Sequence, residues 1–138
     1  MTEDITQHCY SWDVNVYNFI MKKINNWIVQ FTTAWKTHDI DKVLDLFATD
    51  VEYWETPFDK LSSFSELRSE WESVKNQRDI KLSCNVFSKN ENRYAVRWSL
   101  EYIDDRIKVA KMFEGVYLIE LNVDNKCIYF FHCGESKT

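Results

Sequence analysis

Glycine and proline are scarce in this chain, which contains two glycines and one proline among 138 residues. Globular proteins usually contain about 7% glycine, so tight turns here must be made by Asn and Asp instead. Residues 89–92 (KNEN) and 122–125 (NVDN) are the clearest candidates. The glycines, Gly115 and Gly134, lie inside stretches with strand-like alternation, where glycine usually marks a bulge or a sharp bend.

Long hydrophobic runs are absent as well. No apolar run approaches the ~20 residues that are needed to span a bilayer. The first ten residues, MTEDITQHCY, lack the basic and apolar regions of a signal peptide. We therefore expect a cytoplasmic protein that has no membrane partner.

An excess of basic residues and the common nucleotide-binding motifs are also lacking. The net charge is −5, whereas nucleic-acid binding requires clustered Lys and Arg. Neither G-x-G-x-x-G nor G-x-x-x-x-G-K occurs in the chain, and these are the motifs that cradle phosphates. We expect no nucleic-acid partner and no cofactor.

The cysteines offer little support for a disulfide framework or a metal site. None forms a C-x-x-C pair, and without a secretory signal we predict reduced thiols. The His-Cys pairs at 8–9 and 132–133 could in principle assemble a zinc site. Adjacent strand residues point to opposite faces, so one pair rarely supplies two ligands, and we predict no metal. The four cysteines are Cys9, Cys84, Cys127 and Cys133.

The amphipathic patterns that are present predict three helices near the N-terminus. Residues 1–12 show no clear period and are predicted to be an arm, so residues 13–138 form one domain. Asp13 is a candidate cap for a long first helix, and Asp39 for a short second one. Ser63 and Glu66 form a capping-box pattern that opens a third. The apolar face of the first helix comprises Tyr17, Ile20, Ile24, Trp27, Ile28, Phe31 and Trp35.

Beyond Arg78 the sequence alternates with a period of two residues, which predicts consecutive strands joined by short turns. Helices followed by strands are typical of an α+β fold. We predict three N-terminal helices that pack on a strongly curved, mostly antiparallel sheet and enclose a conical pocket.

The segment from Asp39 to Pro57, DIDKVLDLFATDVEYWETP, combines a short helix, a break at Thr49-Asp50 and an aromatic strand that ends at Glu55. It resembles the corresponding segment of the SnoaL-like and ketosteroid-isomerase-like branch of the nuclear-transport-factor-2-like superfamily. The resemblance extends over roughly residues 26–134. It implies a cone-shaped α+β fold, also described as a cystatin-like α+β barrel.

The resemblance also implies a homodimer that forms through the outer face of the sheet. The residues that we expect on this surface are Arg97, Ser99, Glu101, Tyr129 and Phe131.

Glu55 is the first candidate catalytic residue, because it lies where the related isomerases carry their general base. A carboxylate among aromatic rings has a raised pKa, as a base that works near neutral pH requires. The alternative is an exposed loop acid beside Pro57.

Glu114 and His132 are the other catalytic candidates. The resemblance places Glu114 where the isomerases hold a protonated acid that donates to an oxyanion; the alternative is an outward-facing glutamate. His132, on the last predicted strand, is either an acid–base residue or a hydrogen-bonded structural histidine. The tyrosine of the isomerase oxyanion hole is replaced here by Phe31, which cannot donate a hydrogen bond.

The high aromatic content, 16%, indicates a pocket that binds an apolar small molecule. One hypothesis is a cofactor-free isomerase, cyclase or dehydratase that uses Glu55 as its base. The other is a non-catalytic module of the same fold that binds a ligand or another chain. The expected lining residues are Trp27, Phe31, Trp35, Tyr53, Trp54, Trp71, Trp98 and Phe113.

Overall fold

The computed structural model of the protein describes residues 14–137. The predicted arm at 1–12, the Asp13 cap and the His-Cys pair at 8–9 lie outside the described residues. The helices are α1, described over 14–20, α2 (Lys22–Lys36), α3 (Ile40–Asp45) and α4 (Phe64–Glu72), which continues into a 3₁₀ turn (Ser73–Asn76). The strands are β1 (Phe47–Thr56), β2 (Asp59–Leu61), β3 (Gln77–Asn90), β4 (Arg93–Asp104), β5 (Val109–Leu121) and β6 (Cys127–Lys137).

The first predicted helix is divided in two at Met21, where a turn separates α1 from α2. The α2 half buries Ile24, Trp27 and Phe31 against the sheet, as its periodicity predicts. Tyr17, 47% exposed, and the nearby Ile20 lie on α1 and stay exposed. The hydrophobic period thus extends past the part of the helix that the core covers.

The second predicted helix, α3, begins as predicted, because the Asp39 carboxylate accepts a hydrogen bond from the backbone N–H of Lys42 at 3.2 Å. The strand that follows starts earlier than predicted. Phe47 is its first residue and pairs with Cys127 of β6. The strand therefore runs through Thr49-Asp50, where a break between elements was expected, but its pairing with β6 shifts register between Phe47 and Glu52. The expected break is thus an irregularity within β1 and not its start.

The third predicted helix, α4, begins at its predicted cap, Ser63. The Ser63 hydroxyl accepts the backbone N–H of Glu66 at 3.1 Å. The Glu66 carboxylate accepts from the Ser62 hydroxyl at 2.7 Å rather than from Ser63. The capped N-terminus sets the start of α4, and in this register Leu67 and Trp71 are buried.

The six strands form one sheet in the order β2-β1-β6-β5-β4-β3. All neighbouring strands are antiparallel except β1 and β6, which are parallel. The predicted α+β fold, with helices packed on a curved and mostly antiparallel sheet, is confirmed. Within residues 14–137, no helix combines the length and the apolar character that crossing a membrane requires.

The two faces of the sheet differ in burial. Tyr94, Val96, Trp98 and Leu100 alternate along β4 and are buried against the helices. The intervening residues point away from the helices, on what we call the outer face. This face carries Arg97, Ser99 and Glu101 of β4, Val116 and Leu118 of β5, and Tyr129 and Phe131 of β6.

The two glycines face each other across β5 and β6, and the register shows no bulge at either position. The bulge expectation is therefore wrong, and a different constraint explains these residues. A Cβ atom at Gly134 would lie 2.6 Å from Cζ2 of Trp98, and one at Gly115 would lie 2.7 Å from Cα of Gly134. Glycine is needed because the Trp98 ring and the β6 backbone approach too closely for a side chain.

Candidate functional site

A cavity of about 170 Å³ lies between the inner face of the sheet, the end of α2, and α4 with its 3₁₀ turn. It combines large aromatic surfaces with a small number of polar groups, as ligand sites commonly do. The lining residues are Trp35, Tyr53, Glu55, Glu70, Trp71, Ser73, Val74, Gln77, Trp98, Leu100, Tyr102, Phe113, Tyr117, Phe130 and His132.

Glu55 lies near the end of β1 with its side chain 29% exposed. Burial raises the pKa of its carboxyl group to about 7, and the negative charge of Glu70 adds to the rise. Interaction with the Tyr53 hydroxyl acts in the opposite direction, since it favours the carboxylate. Glu55 is thus a carboxyl group that exchanges a proton near neutral pH, as a general base requires.

His132 lies on the neighbouring strand β6 and is fixed by the backbone of β1. Its Nδ1 atom is 2.7 Å from the carbonyl oxygen of Glu55. A carbonyl can only accept, so Nδ1 carries the proton and Nε2 of the neutral ring is a free acceptor. Burial lowers the pKa of His132, which favours this neutral form.

The structure therefore brings two of the three catalytic candidates together. Nδ1 of His132 is 4.0 Å from the Glu55 carboxylate. The imidazole ring also packs against Trp98 and Tyr117, with ring centroids 5.2 and 5.6 Å apart. Their positions are set by the parallel pairing of β1 and β6.

The expected inward orientation of Glu114 is wrong. Its side chain is 59% exposed on the outer face and accepts from Arg97 at 2.7 Å. Phe113 on its N-terminal side lines the cavity instead. No bulge turns the strand here, so alternation directs Glu114 away from the cavity.

Five of the eight aromatic residues predicted to line the cavity do line it, namely Trp35, Tyr53, Trp71, Trp98 and Phe113.

Trp27 and Phe31 do not line the cavity, because they are fully buried in the core beside it, stacked 4.8 Å apart. Trp54 lies on the outer face, where its indole N–H donates to Glu52 at 2.8 Å. The predictions for Trp27 and Phe31 are wrong because a helical period does not separate core from cavity positions. The prediction for Trp54 is wrong because alternation along β1 places it on the face opposite to Tyr53.

Two tyrosines bring hydroxyl groups into the cavity. Burial raises the pKa values of Tyr53 and Tyr117 well above the ordinary value, so both stay protonated donors. Tyr53 interacts with Glu55, and Tyr117 lines the cavity beside His132. Tyr117 was missed from the sequence, although it follows Phe113 at even spacing on the inward face of β5.

Other lining residues were not in the predicted set. Tyr102, which the sequence offers only as a possible substitute for the oxyanion-hole tyrosine, continues the inward alternation of β4 into the cavity. Glu70 and Gln77 show no signal of this kind in the sequence, because their place depends on how α4 meets the sheet. Gln77 accepts from the Trp35 indole at 2.7 Å and so joins α2 to the start of β3.

No group of three or more His, Cys, Asp or Glu side chains is placed to hold a metal ion within the described range, 14–137. Cys84, Cys127 and Cys133 are free thiols, and Cys9 lies outside that range. Burial raises the pKa of the Cys84 thiol to about 12, so it is not a reactive thiolate.

Comparison with known proteins gives a family match. Residues 28–128, more than half of the chain, match the SnoaL-like domain family. No curated protein matches the sequence.

Several solved structures share the fold. SalBIII, an epoxide hydrolase/cyclase-like enzyme in pyran ring formation in polyether salinomycin, has a TM-score of 0.72 at 12% identity over 83% of this chain and 92% of that chain. A Δ5-3-ketosteroid isomerase from Mycobacterium sp. has a TM-score of 0.69 at 12% identity over 83% and 98%. A Mycobacterium tuberculosis protein in complex with estradiol-17β-hemisuccinate has a TM-score of 0.67 at 14% identity over 80% and 92%. At these identities the similarity establishes the fold alone.

Proposed function

This chain belongs to the SnoaL-like domain family, and on that premise we propose that it is a cofactor-free acid–base enzyme acting on a compact apolar carbonyl compound, with Glu55 as general base. The observation that carries the proposal is a half-buried carboxyl group with a pKa of about 7 in an aromatic cavity. Isomerisation of a ketone is the simplest reaction that such a base supports.

The proposed reaction begins with Glu55 in its carboxylate form. In a β,γ-unsaturated ketone, the carboxylate removes a proton from the carbon between the carbonyl group and the C=C bond, and the C–H electron pair moves into a dienolate. Glu55, whose partly exposed carboxyl group exchanges its proton with solvent, then delivers a proton to the γ-carbon. The C=C bond moves into conjugation with the carbonyl group, and the carboxylate is regenerated. No redox partner is required, because a proton and a double bond change places within one molecule.

Tyr117 is the proposed donor to the enolate oxygen. The two positions that serve this purpose in related isomerases are occupied here by Phe31, which has no donor, and Glu114, which points outward. Tyr117 lines the cavity, is 4% exposed and keeps its proton at neutral pH. A donor aimed at developing charge typically contributes about 10²–10³ in rate.

His132 is proposed as a positioning residue. Its Nδ1–H holds the backbone carbonyl of Glu55 at 2.7 Å, and this bond fixes the strand that carries the base. The free Nε2 atom can also accept a hydrogen bond from a substrate hydroxyl.

The size of the cavity limits the substrate. An engineered cavity of about 150 Å³ binds benzene, and the cavity here is about 170 Å³. One of the similar structures is a 3-ketosteroid isomerase, but four fused rings exceed this space. We therefore propose a β,γ-unsaturated ketone whose part inside the cavity is about one six-membered ring.

A non-catalytic ligand-binding module is the second candidate. The observation that favours it is the outward position of Glu114, which leaves the cavity without the acid that such isomerases use. In this case the cavity binds an apolar ligand and Glu55 performs no proton transfer.

Exchange of the α-protons of cyclohexanone in D₂O, followed by proton NMR, tests the enzymatic proposal. The wild-type protein should accelerate exchange, and the rate should rise with pH through about 7 as Glu55 loses its proton. Glu55→Gln should return exchange to the buffer rate while cyclohexanone still binds. Tyr117→Phe should lower the rate by roughly 10²–10³.

Glu72→Gln is the matched control, because Glu72 lies on α4 but pairs with Lys75 outside the cavity. It should leave exchange unchanged. If Glu55→Gln exchanges protons as fast as wild type, Glu55 is not the base. Binding without any acceleration in the wild-type protein supports the ligand-binding candidate.

The family resemblance also leads us to propose a homodimer through the outer face. Exposed Val116 and Leu118 lie there beside half-buried Phe131, with exposed Arg97 and Glu101 around them. The cytoplasmic location expected from the sequence stays a prediction.

A further inference from the structure

The cavity surface is strongly aromatic, and its one basic side chain, His132, is kept neutral by burial. Eight of its fifteen lining residues are Trp, Tyr or Phe. No Lys or Arg is among them, whereas Glu55 and Glu70 are. A pocket with this lining repels carboxylates and phosphates, because no residue supplies a countercharge to an anion.

Glu55 has no cationic partner among the residues described. The nearest basic side chain is His132, whose Nδ1 lies 4.0 Å from the carboxylate. Its proton is donated to the backbone carbonyl of Glu55, and burial keeps the ring neutral. A charged carboxylate in this setting gains from any cation that enters the cavity, since a nearby opposite charge offsets its desolvation.

Aromatic rings supply a second attraction for a cation. The faces of Trp, Tyr and Phe carry negative charge density, and an ammonium group near them is stabilised most when it is desolvated. The cavity is surrounded by aromatic rings from α2, α4 and the sheet, namely those of Trp35, Trp71, Trp98 and Tyr102. Pockets that recognise organic ammonium ions combine aromatic walls with little basic charge in this way.

We propose that the cavity binds a compact ligand that carries a protonated amine, held by its aromatic walls and by the carboxylate of Glu70. Glu70 lies on α4 with an exposed side chain, so it can pair with the ammonium group on the solvent side of the cavity. Glu55, 29% exposed and more deeply placed, contributes a second negative charge that favours a cation in the cavity without pairing with the ammonium group directly. The inference rests on the proposed function only in using the same cavity as the binding site.

Three one-ring probes of nearly the same shape test this inference: benzylamine, benzyl alcohol and benzoate. Each is titrated at pH 8, where Glu55 is ionised and benzylamine is protonated, and followed through the indole N–H signals in NMR spectra. Benzylamine should bind roughly tenfold or more tightly than benzyl alcohol. Benzoate should bind more weakly than benzyl alcohol. Equal affinity for the amine and the alcohol would overturn the inference.

Glu70→Gln and Glu72→Gln locate the countercharge. Both variants remove one negative charge from α4, but only Glu70 lines the cavity. Glu70→Gln should reduce the preference for benzylamine to less than about threefold and leave benzyl alcohol binding unchanged, whereas Glu72→Gln should keep the full preference. An unchanged preference in Glu70→Gln would refute the role of Glu70.

The outcome separates this inference from the proposed enzymatic function. Equal binding of the amine and the alcohol, together with cyclohexanone exchange, would remove the amine preference and leave the enzyme. A strong amine preference without exchange of the cyclohexanone protons would support the amine-binding inference and refute the enzymatic proposal.

Discussion

Glu55 shows how one residue can be suited to chemistry and unfavourable for stability. Burial raises its pKa from 4.5 to about 7, with the charge of Glu70 in addition. The folded protein therefore binds the Glu55 proton more tightly than the unfolded chain does. Between pH 4.5 and 7 the stability contributed by this group must fall as the pH rises.

Glu55→Gln should consequently stabilise the protein at pH 8 by about 2–3 kcal/mol, because glutamine removes the buried charge and keeps the shape. At pH 4, where the carboxyl is mostly protonated in both states, the two proteins should differ little. Urea unfolding at both pH values measures this. Glu72→Gln, which loses a surface ion pair with Lys75, should change stability by less than about 1 kcal/mol.

If wild type and Glu55→Gln unfold at the same urea concentration at pH 8, Glu55 is not a desolvated carboxylate. That result would also remove the main support for its role as a base.

At the residue scale, the sequence singles out Glu55 as a candidate base but does not reveal the residues around it. Glu55 was recognised because a helix, a strand and a terminal acid form a local unit that resembles a known family. Glu114 was misplaced because its orientation depends on whether β5 bulges, and a glycine in the sequence does not decide that. Glu70 enters the cavity through packing of α4 on the sheet, which a single sequence does not encode locally, whereas the alternation along β5 already placed Tyr117 on the same face as Phe113.

At the scale of elements, Gly115 of β5 and Gly134 of β6 allow the indole ring of Trp98, from β4, to lie directly against the backbone of these two strands. A side chain at Gly115 would meet backbone atoms, including the Cys133 carbonyl oxygen, and a side chain at Gly134 would meet the Trp98 ring. Trp98 is 3% exposed and packs on Tyr117 at 5.3 Å, so it has little room to move.

Gly134→Ala should destabilise the fold by roughly 1–3 kcal/mol through overpacking, and Gly115→Ala should cost more because backbone cannot yield as a ring can. Chemical denaturation gives both values. Ser136→Ala, an exposed position on the same strand β6, is the control and should be nearly neutral. A Gly115→Ala variant as stable as wild type would contradict the close approach.

Element types were well predicted, and their boundaries less so. The caps at Asp39 and Ser63 are local hydrogen bonds, so sequence reveals them. Phe47 had the spacing of a helical residue, yet it starts β1 because its backbone pairs with Cys127, 80 positions later. Such non-local pairing overrides local propensity.

At the scale of the whole molecule, the outer face of the sheet exposes apolar side chains along its centre, among them Val116 and Leu118. Leu118 is 41% exposed and pairs with Ala95 and Phe131 on either side. Burial of such a surface is favourable in water, which supports the proposed homodimer.

Leu118→Glu should convert the dimer to a monomer, because it places a charge at the centre of the apolar surface. Light scattering at micromolar concentration measures the mass of each form. Phe58→Glu changes a fully exposed residue of the β1–β2 turn, 97% exposed, and should leave the dimer intact. A wild-type monomer under these conditions would exclude the proposed assembly.

The parallel pairing of β1 with β6 has a consequence for how the protein is made. On the ribosome β1 is synthesised long before β6, and until β6 emerges β1 can pair only with the three-residue strand β2. During that time the backbone carbonyl of Glu55 lacks the hydrogen bond that His132 donates in the folded protein. The nascent chain thus exposes an aromatic strand edge until β6 is synthesised, and Asp50, Glu52 and Glu55 place negative charge along that edge, which discourages premature association.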